Sequence, residues 1–243
     1  MPPITPGSAV KVIRSMIRSS LATAAIPSGM PMPRLTTLLA FSSNAARRAM
    51  ILRSLIGIGG SAPARTLISL DVSGSMSMPN FTTGHQSLYE RTGMTPRDLS
   101  AAMSMITMRT EPEYAVGAFS TQYTPLNISA AQRLDDVIRV IQGTPMGGTD
   151  CSLPMQWAQA NNLMVDTFQV WTDNETWAGR TMHPHEALRR YRQHSGINAR
   201  LQVIGMTATD FTIADPADPG QLDVAGFDAA VPQLLADHAR GNL

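Results

Sequence analysis

Asp71, Ser73 and Ser75 set three oxygen-bearing side chains at alternate positions in the stretch LISLDVSGSM, directly after the apolar Leu67, Ile68 and Leu70. Two other stretches have a comparable character. TPMGGTD brings Thr149 behind the paired Gly147 and Gly148, and VWTDNE brings Asp173 behind an apolar run. The five side chains are carboxylates and hydroxyls with no His or Cys among them. Such hard oxygen donors suit Mg²⁺, or else Mn²⁺ or Ca²⁺, in preference to Zn²⁺. Mg²⁺ takes roughly six oxygens at about 2.0–2.1 Å and usually retains water. Five side chains, some acting through water, therefore leave a coordination position open. Singly, each residue has a plainer reading: Asp and Ser frequent turns, Thr149 would cap a helix, and Asp173 would shape a turn. Their joint placement at the exits of apolar runs is what points to a metal.

Those exits require a particular scaffold. From residue 66 onward, short apolar runs alternate with amphipathic ones. Strands are expected over 66–71, 114–119, 166–171, 200–205 and near 223–227. Helices are expected over 151–162, 183–194 and 229–239, with two more marked by apolar stripes. One stripe is Leu99, Ala102, Met103 and Ile106, and the other is Leu134, Val137, Ile138 and Ile141. Core packing explains Met103, whereas Met105 stays ambiguous. The alternation implies an α/β fold, a three-layer, doubly wound and mostly parallel sheet of Rossmann-like type. Ligands of such sheets lie beyond the carboxyl ends of the strands, at a switch in strand order. Asp71 stands at one such end, and Gly147 and Gly148 would let the second loop approach closely.

The oxygen pattern resembles the metal-ion-dependent adhesion site of von Willebrand factor A domains: D-x-S-x-S, then a Thr in a Gly-rich loop, then T-D after a strand. GGTDCSLPMQWAQ, VWTDNETWAG, HPHEALRRYR and GMTATDFTIADPADPGQLDVAGFD further resemble the C-terminal domain of the Ro ribonucleoprotein (TROVE) family. The resemblance covers about residues 45–243. It implies a von Willebrand factor A fold, a divalent cation on Asp71, Ser73, Ser75, Thr149 and Asp173, and a place in a small-RNA ribonucleoprotein. Members of that family carry a ring of helical repeats that binds Y RNA and misfolded small RNAs. Residues 1–61 are too few for such a ring, so the A domain is expected without most of it. The expected organisation is a basic, Pro/Ser-rich leader over 1–43, a connecting helix and linker over 44–61 forming a short helical N-terminal extension, and the A domain over 62–243.

Composition narrows the classes further. Of 243 residues, 43% are hydrophobic and 15% charged, as in a soluble globular protein. No apolar run nears the roughly 18–20 residues that span a bilayer, so no membrane partner is expected. A single cysteine, Cys151, excludes an internal disulfide and suits a reducing, cytoplasmic setting. The net charge of +1 conceals a split: residues 1–70 hold eight basic side chains and no acid. The basic arm could meet RNA phosphates. It could equally be a mitochondrial transit peptide, or the remnant of a longer leader.

Several other residues draw attention without forming a site. His183 and His185, at i and i+2 with Glu186 near a helix start, do not share a helix face and read as a solvated N-terminus. Arg189, Arg190, Arg192 and His194 read as an ordinary exposed helix face. Cys151 reads as structural, and Trp177 either rims the site or packs in its loop. "GSM" is no nucleophile elbow, because G-x-S-x-G is missing. The leading expectation is therefore a binding module and not an enzyme. A partner protein's carboxylate, or an RNA phosphate, would complete the shell of the cation. The partners implied by the resemblance are a small non-coding, Y-like RNA and a protein. Two alternatives stand: a metal-dependent phosphoryl-transfer enzyme or nuclease with Glu175 as base, or a stand-alone protein-interaction A domain with no RNA role.

Overall fold

Strand β1 (Arg65–Asp71) occupies the middle of a six-stranded sheet and is buried at every position after Arg65. A strand covered on both faces cannot alternate polar with apolar residues, which is why LISL reads as a continuous run. The computed structural model describes residues 65–78, 93–173, 182–206, 212–226 and 229–243. These lie within one unit, Ser61–Leu243.

The other strands are β2 (Glu113–Phe119), β3 (Tyr123–Leu126), β4 (Thr167–Thr172), β5 (Arg200–Gly205) and β6 (Gln221–Ala225), in the spatial order β3-β2-β1-β4-β5-β6. All pairings are parallel except β2 with β3. The chain first builds outward from β1 through β2 to β3, then returns to the opposite side of β1 to lay down β4. The strand order therefore reverses between β1 and β4, and the carboxyl ends of those two strands flank the crevice where such sheets receive ligands. At the opposite end the Arg65 guanidinium makes two bonds to Asp166, at 2.8 and 2.9 Å, tying the start of β1 to the entry of β4.

Five helices cover the sheet: α1 (Pro96–Thr110), α2 (Leu134–Gln142), α3 (Leu153–Ala160), α4 (Pro184–Ser195) and α5 (Val231–Arg240). On one face Ile68, Leu70, Val116, Ala118, Trp171 and Ile204 pack with residues of α1, α2 and α5 in a single core. On the other, Tyr191 of α4 meets Phe168 edge-on at 4.8 Å and Trp157 of α3 stacks on Tyr123 at 4.6 Å. This is the three-layer, mostly parallel α/β arrangement expected. Tyr191 also binds the connection from α3 to β4. Its hydroxyl donates to the Leu163 carbonyl at 2.7 Å and accepts from the Val165 N–H at 2.6 Å.

Two expectations need correction. Strand β3 was not anticipated: it is four residues long, contains Pro125, and lies at the sheet edge, where a missing N–H is tolerated. The buried face of α1 also differs from the predicted stripe. Leu99, Ala102, Met103 and Ile106 are only half-buried, while Ser100, Ala101, Ser104, Met105 and Met108 face inward. Ser100 and Ser104 donate to the carbonyls of Arg97 and Ala101, each at 2.8 Å, so neither hydroxyl is left unpaired by burial. Met103 only lies against the edge of the core, and Met105 is the deeper of the two. The leader over 1–43, the connecting helix and linker over 44–61, Glu175 and Trp177 lie outside the described residues.

Gly117 gives the packing a sharp test. A Cβ at this position would collide with the Tyr123 ring, which lies against β2 and shares a hydrogen bond of 3.3 Å with Ser69. Gly117→Ala is expected to lower stability by about 1–3 kcal/mol, as overpacking does, read as a lower urea midpoint with an unchanged slope.

Candidate metal centre

Asp71 is the last residue of β1 and is fully buried. Its neighbour Val72 still follows β2, donating to the Phe119 carbonyl at 2.9 Å. The chain then turns sharply, because the Ser73 N–H donates to Asp71 Oδ1 at 2.7 Å. A single 3₁₀ turn, Ser75–Ser77, follows and is anchored by the buried Met76. That turn brings the Ser73 and Ser75 hydroxyls to 3.2 Å, the first buried and the second exposed. The alternate spacing seen in the sequence thus puts three oxygens on one side of a turn, running from the core to its mouth.

The second loop is drawn in by β2. The Ser120 hydroxyl donates to the Pro145 carbonyl at 3.3 Å, and the Asp150 N–H donates to the Ser120 carbonyl at 3.0 Å. Gly147 is needed for this approach, since a Cβ there would stand 2.9 Å from Thr121 Oγ1. Thr149 is buried at the base of the loop. Asp150 accepts from the Ser152 N–H at 3.0 Å and shapes the entry to α3.

The third loop leaves β4. Thr172, the final strand residue, donates its hydroxyl to Asp71 Oδ2 at 2.8 Å. Cys151 Sγ lies 3.7 Å from the same hydroxyl and joins the second loop to the third. Asp173 follows at once and is 8% exposed. Asp71 therefore has one oxygen held from β1's own turn and the other from β4. The role of Thr172 escaped the sequence reading. Its signal was a hydroxyl directly preceding the acid at a strand exit.

The electrostatics of this corner are unfavourable without a cation. The Asp71 carboxyl is raised to about 7: burial is the main cause, the neighbouring Asp173 adds to it, and the bonds from Ser73 and Thr172 only partly offset them. Burial first, and then the charge of Asp71, raises the Cys151 thiol well above its ordinary value. Cys151 therefore stays a neutral thiol, neither a soft ligand nor a nucleophile. Among the described residues no group of three or more His, Cys, Asp or Glu converges. The donors available are two carboxylates and three hydroxyls, a set that fits a hard divalent cation. Two carboxylates can at most balance a +2 charge, and hydroxyls add no charge, so such a cation could still attract an anion.

The remaining candidates stay with their plainer readings. His183 caps α4, its ring nitrogen accepting from the His185 N–H at 3.4 Å, and the two rings lie 4.2 Å apart. Arg190 pairs with Glu186 at 2.7 Å, Arg192 donates to the Ala199 carbonyl at 2.8 Å and pairs with Asp218, and His194 meets Asn162 at 3.0 Å. Of Arg189, Arg190, Arg192 and His194, the last three thus serve local structure.

Residues 65–239 match the family model described as the Ro60 vWA domain. The chain is 44% identical over 190 residues to the RNA-binding protein RO60 of Deinococcus radiodurans, covering 77% of this chain and 34% of that protein. It is 39% identical over 180 residues to the RNA-binding protein RO60 of Caenorhabditis elegans, covering 74% of this chain and 26% of that one. The chain thus spans about a third or less of the curated relatives it matches. Its structure is similar to the crystal structure of the Deinococcus radiodurans RO (RSR) protein, with a TM-score of 0.64 at 38% identity, over 99% of this chain and 45% of the other. With that sheet order, that switch point and these matches, the chain belongs to the Ro60 von Willebrand factor A domain family.

Proposed function

We propose that this domain is a divalent-metal-dependent binding module of a Ro-type ribonucleoprotein. Asp71, Ser73, Ser75, Thr149 and Asp173 would hold Mg²⁺, and the open position would take an anionic oxygen from outside, a protein carboxylate or an RNA phosphate. The observation that carries this reading is the buried Asp71 carboxylate, fixed on both oxygens beside a second acid. When bound, the cation supplies a centre of positive charge that orients and holds that oxygen. The chain's own residues do the rest. Ser73 N–H and Thr172 keep the Asp71 carboxylate in one orientation, Met76 pins the turn, and Gly147 admits the second loop.

The RNA component rests on different grounds. Relatives matched over most of this chain are RNA-binding proteins, and residues 1–70 hold eight basic side chains with no acid. Among the described residues no helix is long and apolar enough to cross a membrane. Two of the described side chains in the three loops favour the binding-module reading over an enzyme. Asp71 is locked by two hydrogen bonds, and Cys151 is a buried neutral thiol.

Asp71→Asn is expected to abolish Mg²⁺ and Mn²⁺ binding in titration calorimetry, and unchanged affinity would sink the metal assignment. The same variant tests the electrostatics. Folded Asp71 keeps its proton up to about 7, whereas in the unfolded chain it is lost near 4. The folded state therefore binds more protons between these values, and metal-free stability falls as pH rises through that window, by an amount on the order of a few kcal/mol. Asp71→Asn is expected to remove that component of the slope. For wild-type protein, Mg²⁺ affinity is expected to weaken as pH drops below about 7, because protons compete for the carboxylate.

For the RNA component, deleting residues 1–43 is expected to weaken binding of small structured RNA and flatten the salt dependence of its affinity. Filter binding at several salt concentrations reads both. The enzyme alternative is checked by incubating the full chain with RNA and Mg²⁺, where intact RNA on a denaturing gel is the expected result.

A further inference from the structure

Helix α5 buries Val231, Leu235 and His238 against the domain. The third place in that row, where a helical stripe calls for an apolar residue, is thus an imidazole, 2% exposed.

A relay of hydrogen bonds fixes its protonation state. The Trp171 indole can only donate, and it donates to Gln169 Oε1 at 3.0 Å. Gln169 therefore turns its amide nitrogen to Gln202 Oε1, at 3.1 Å. Gln202 in turn presents its own nitrogen, which donates to the Leu235 carbonyl at 2.7 Å and to His238 Nδ1 at 3.3 Å. Nδ1 is thus an acceptor, so the ring is neutral and carries its hydrogen on Nε2. Nε2 is buried and has no partner among the described residues.

A second proton would go to Nδ1. It would face the Gln202 amide, donor against donor, and the relay would lose its last bond. The ring would then hold a full charge with no acceptor on either nitrogen. Burial first, and then the Arg200 guanidinium of β5, lowers the affinity of His238 for that proton below the ordinary histidine range. Asp218, ahead of β6, opposes this but is already paired with Arg192. Glu111, the buried acid at the end of α1, is held by Arg240 at 3.2 Å. The carbonyls closing α5 favour a cation, yet the balance still falls against the charged ring.

The seam beneath the helix is polar beyond His238. Thr66, Gln169 and Gln202 face a small cavity under Pro232, Leu235 and Ala236. Thr66 Oγ1 is buried with no partner among the described residues. Amides and hydroxyls thus line part of the helix's bed, and water can take over such contacts when the helix lifts.

We propose that His238 is a pH-sensitive latch for α5. Neutral, the ring closes the relay from β4 through β5 and lets the helix lie on the sheet. Protonated, it keeps its charge only by reaching water, and the last turns of the helix lift with it.

Hydrogen–deuterium exchange of the full chain tests this, with the intrinsic pH dependence of exchange corrected. Between about pH 7.5 and about pH 5.5, opening of residues 231–243 is expected to rise up to roughly tenfold, the limit for an imidazole that ionises near 6.5 once released. Over the same range α4 is expected to keep its protection. His238→Gln retains hydrogen-bonding groups but cannot take up the proton, and is expected to remove the rise. His194→Gln, on α4, is expected to leave it in place. Imidazole ¹⁵N spectra of the wild-type chain need no variant: His238 is expected to stay in its neutral Nε2–H form while the exposed His185 and His194 become charged. Unchanged exchange of residues 231–243 overturns the latch, and so does a rise that persists in His238→Gln. A charged His238 under a fully protected α5 overturns it as well. Equal loosening of α4 and α5 is global unfolding and overturns the release of α5 alone.

Discussion

The hydrogen bond from Thr172 to Asp71 joins the two strands between which the sheet reverses its order. Without it the β4 exit would lose a buried side-chain bond to the β1 exit. With it, Asp71, Asp173 and Cys151 form one electrostatic unit, in which burial raises the Asp71 and Cys151 proton affinities together. A buried carboxylate beside another acid is unfavourable in isolation. The rest of the domain keeps it there. β1 is covered on both faces, Arg65 is paired with Asp166 at the far end, and Met76 is sunk into the core just beyond. Rigid packing holds an arrangement that its charges alone would disfavour, and a bound divalent cation, as proposed, would reverse the sign of that balance.

Much of this was legible in the sequence because burial on both faces removes ambiguity. The runs containing Leu67, Phe168 and Leu201 are unbroken and short, and a parallel sheet under helices is the arrangement that uses such runs. The five proposed oxygen donors stood out for a related reason. Each follows an apolar run or a glycine pair, so fold and chemistry mark the same positions. Where physical signals diverged, the reading failed. The buried face of α1 contains Ser100 and Ser104, whose hydroxyls bond within the helix and so behave as small core residues, although their type suggests solvent. Strand β3 is short and carries Pro125, a residue that argues against a strand unless its edge position is known. Thr172 was missed for a third reason: its partner is contributed by a strand 101 residues away.

The division of labour within the family match is also physical. The match runs over 65–239, the segment that builds the sheet, its helices and all three oxygen loops. Residues 1–64 hold seven basic side chains and no acid, whereas the other 12 basic and all 18 acidic side chains lie from residue 65 onward. Basic side chains without acids therefore mark the part ahead of the match, and the oxygen donors lie within it.

Pro125 on the β3 edge has a consequence for how any partner can approach. An exposed edge strand offers unpaired N–H and C=O groups that invite another chain to extend the sheet. Here the outermost strand on that side is four residues long, and one of its positions has no N–H to donate. Backbone-mediated strand addition finds a broken ladder at this border. This border is thereby biased against main-chain pairing with another protein, whereas the opposite edge strand, β6, contains no proline.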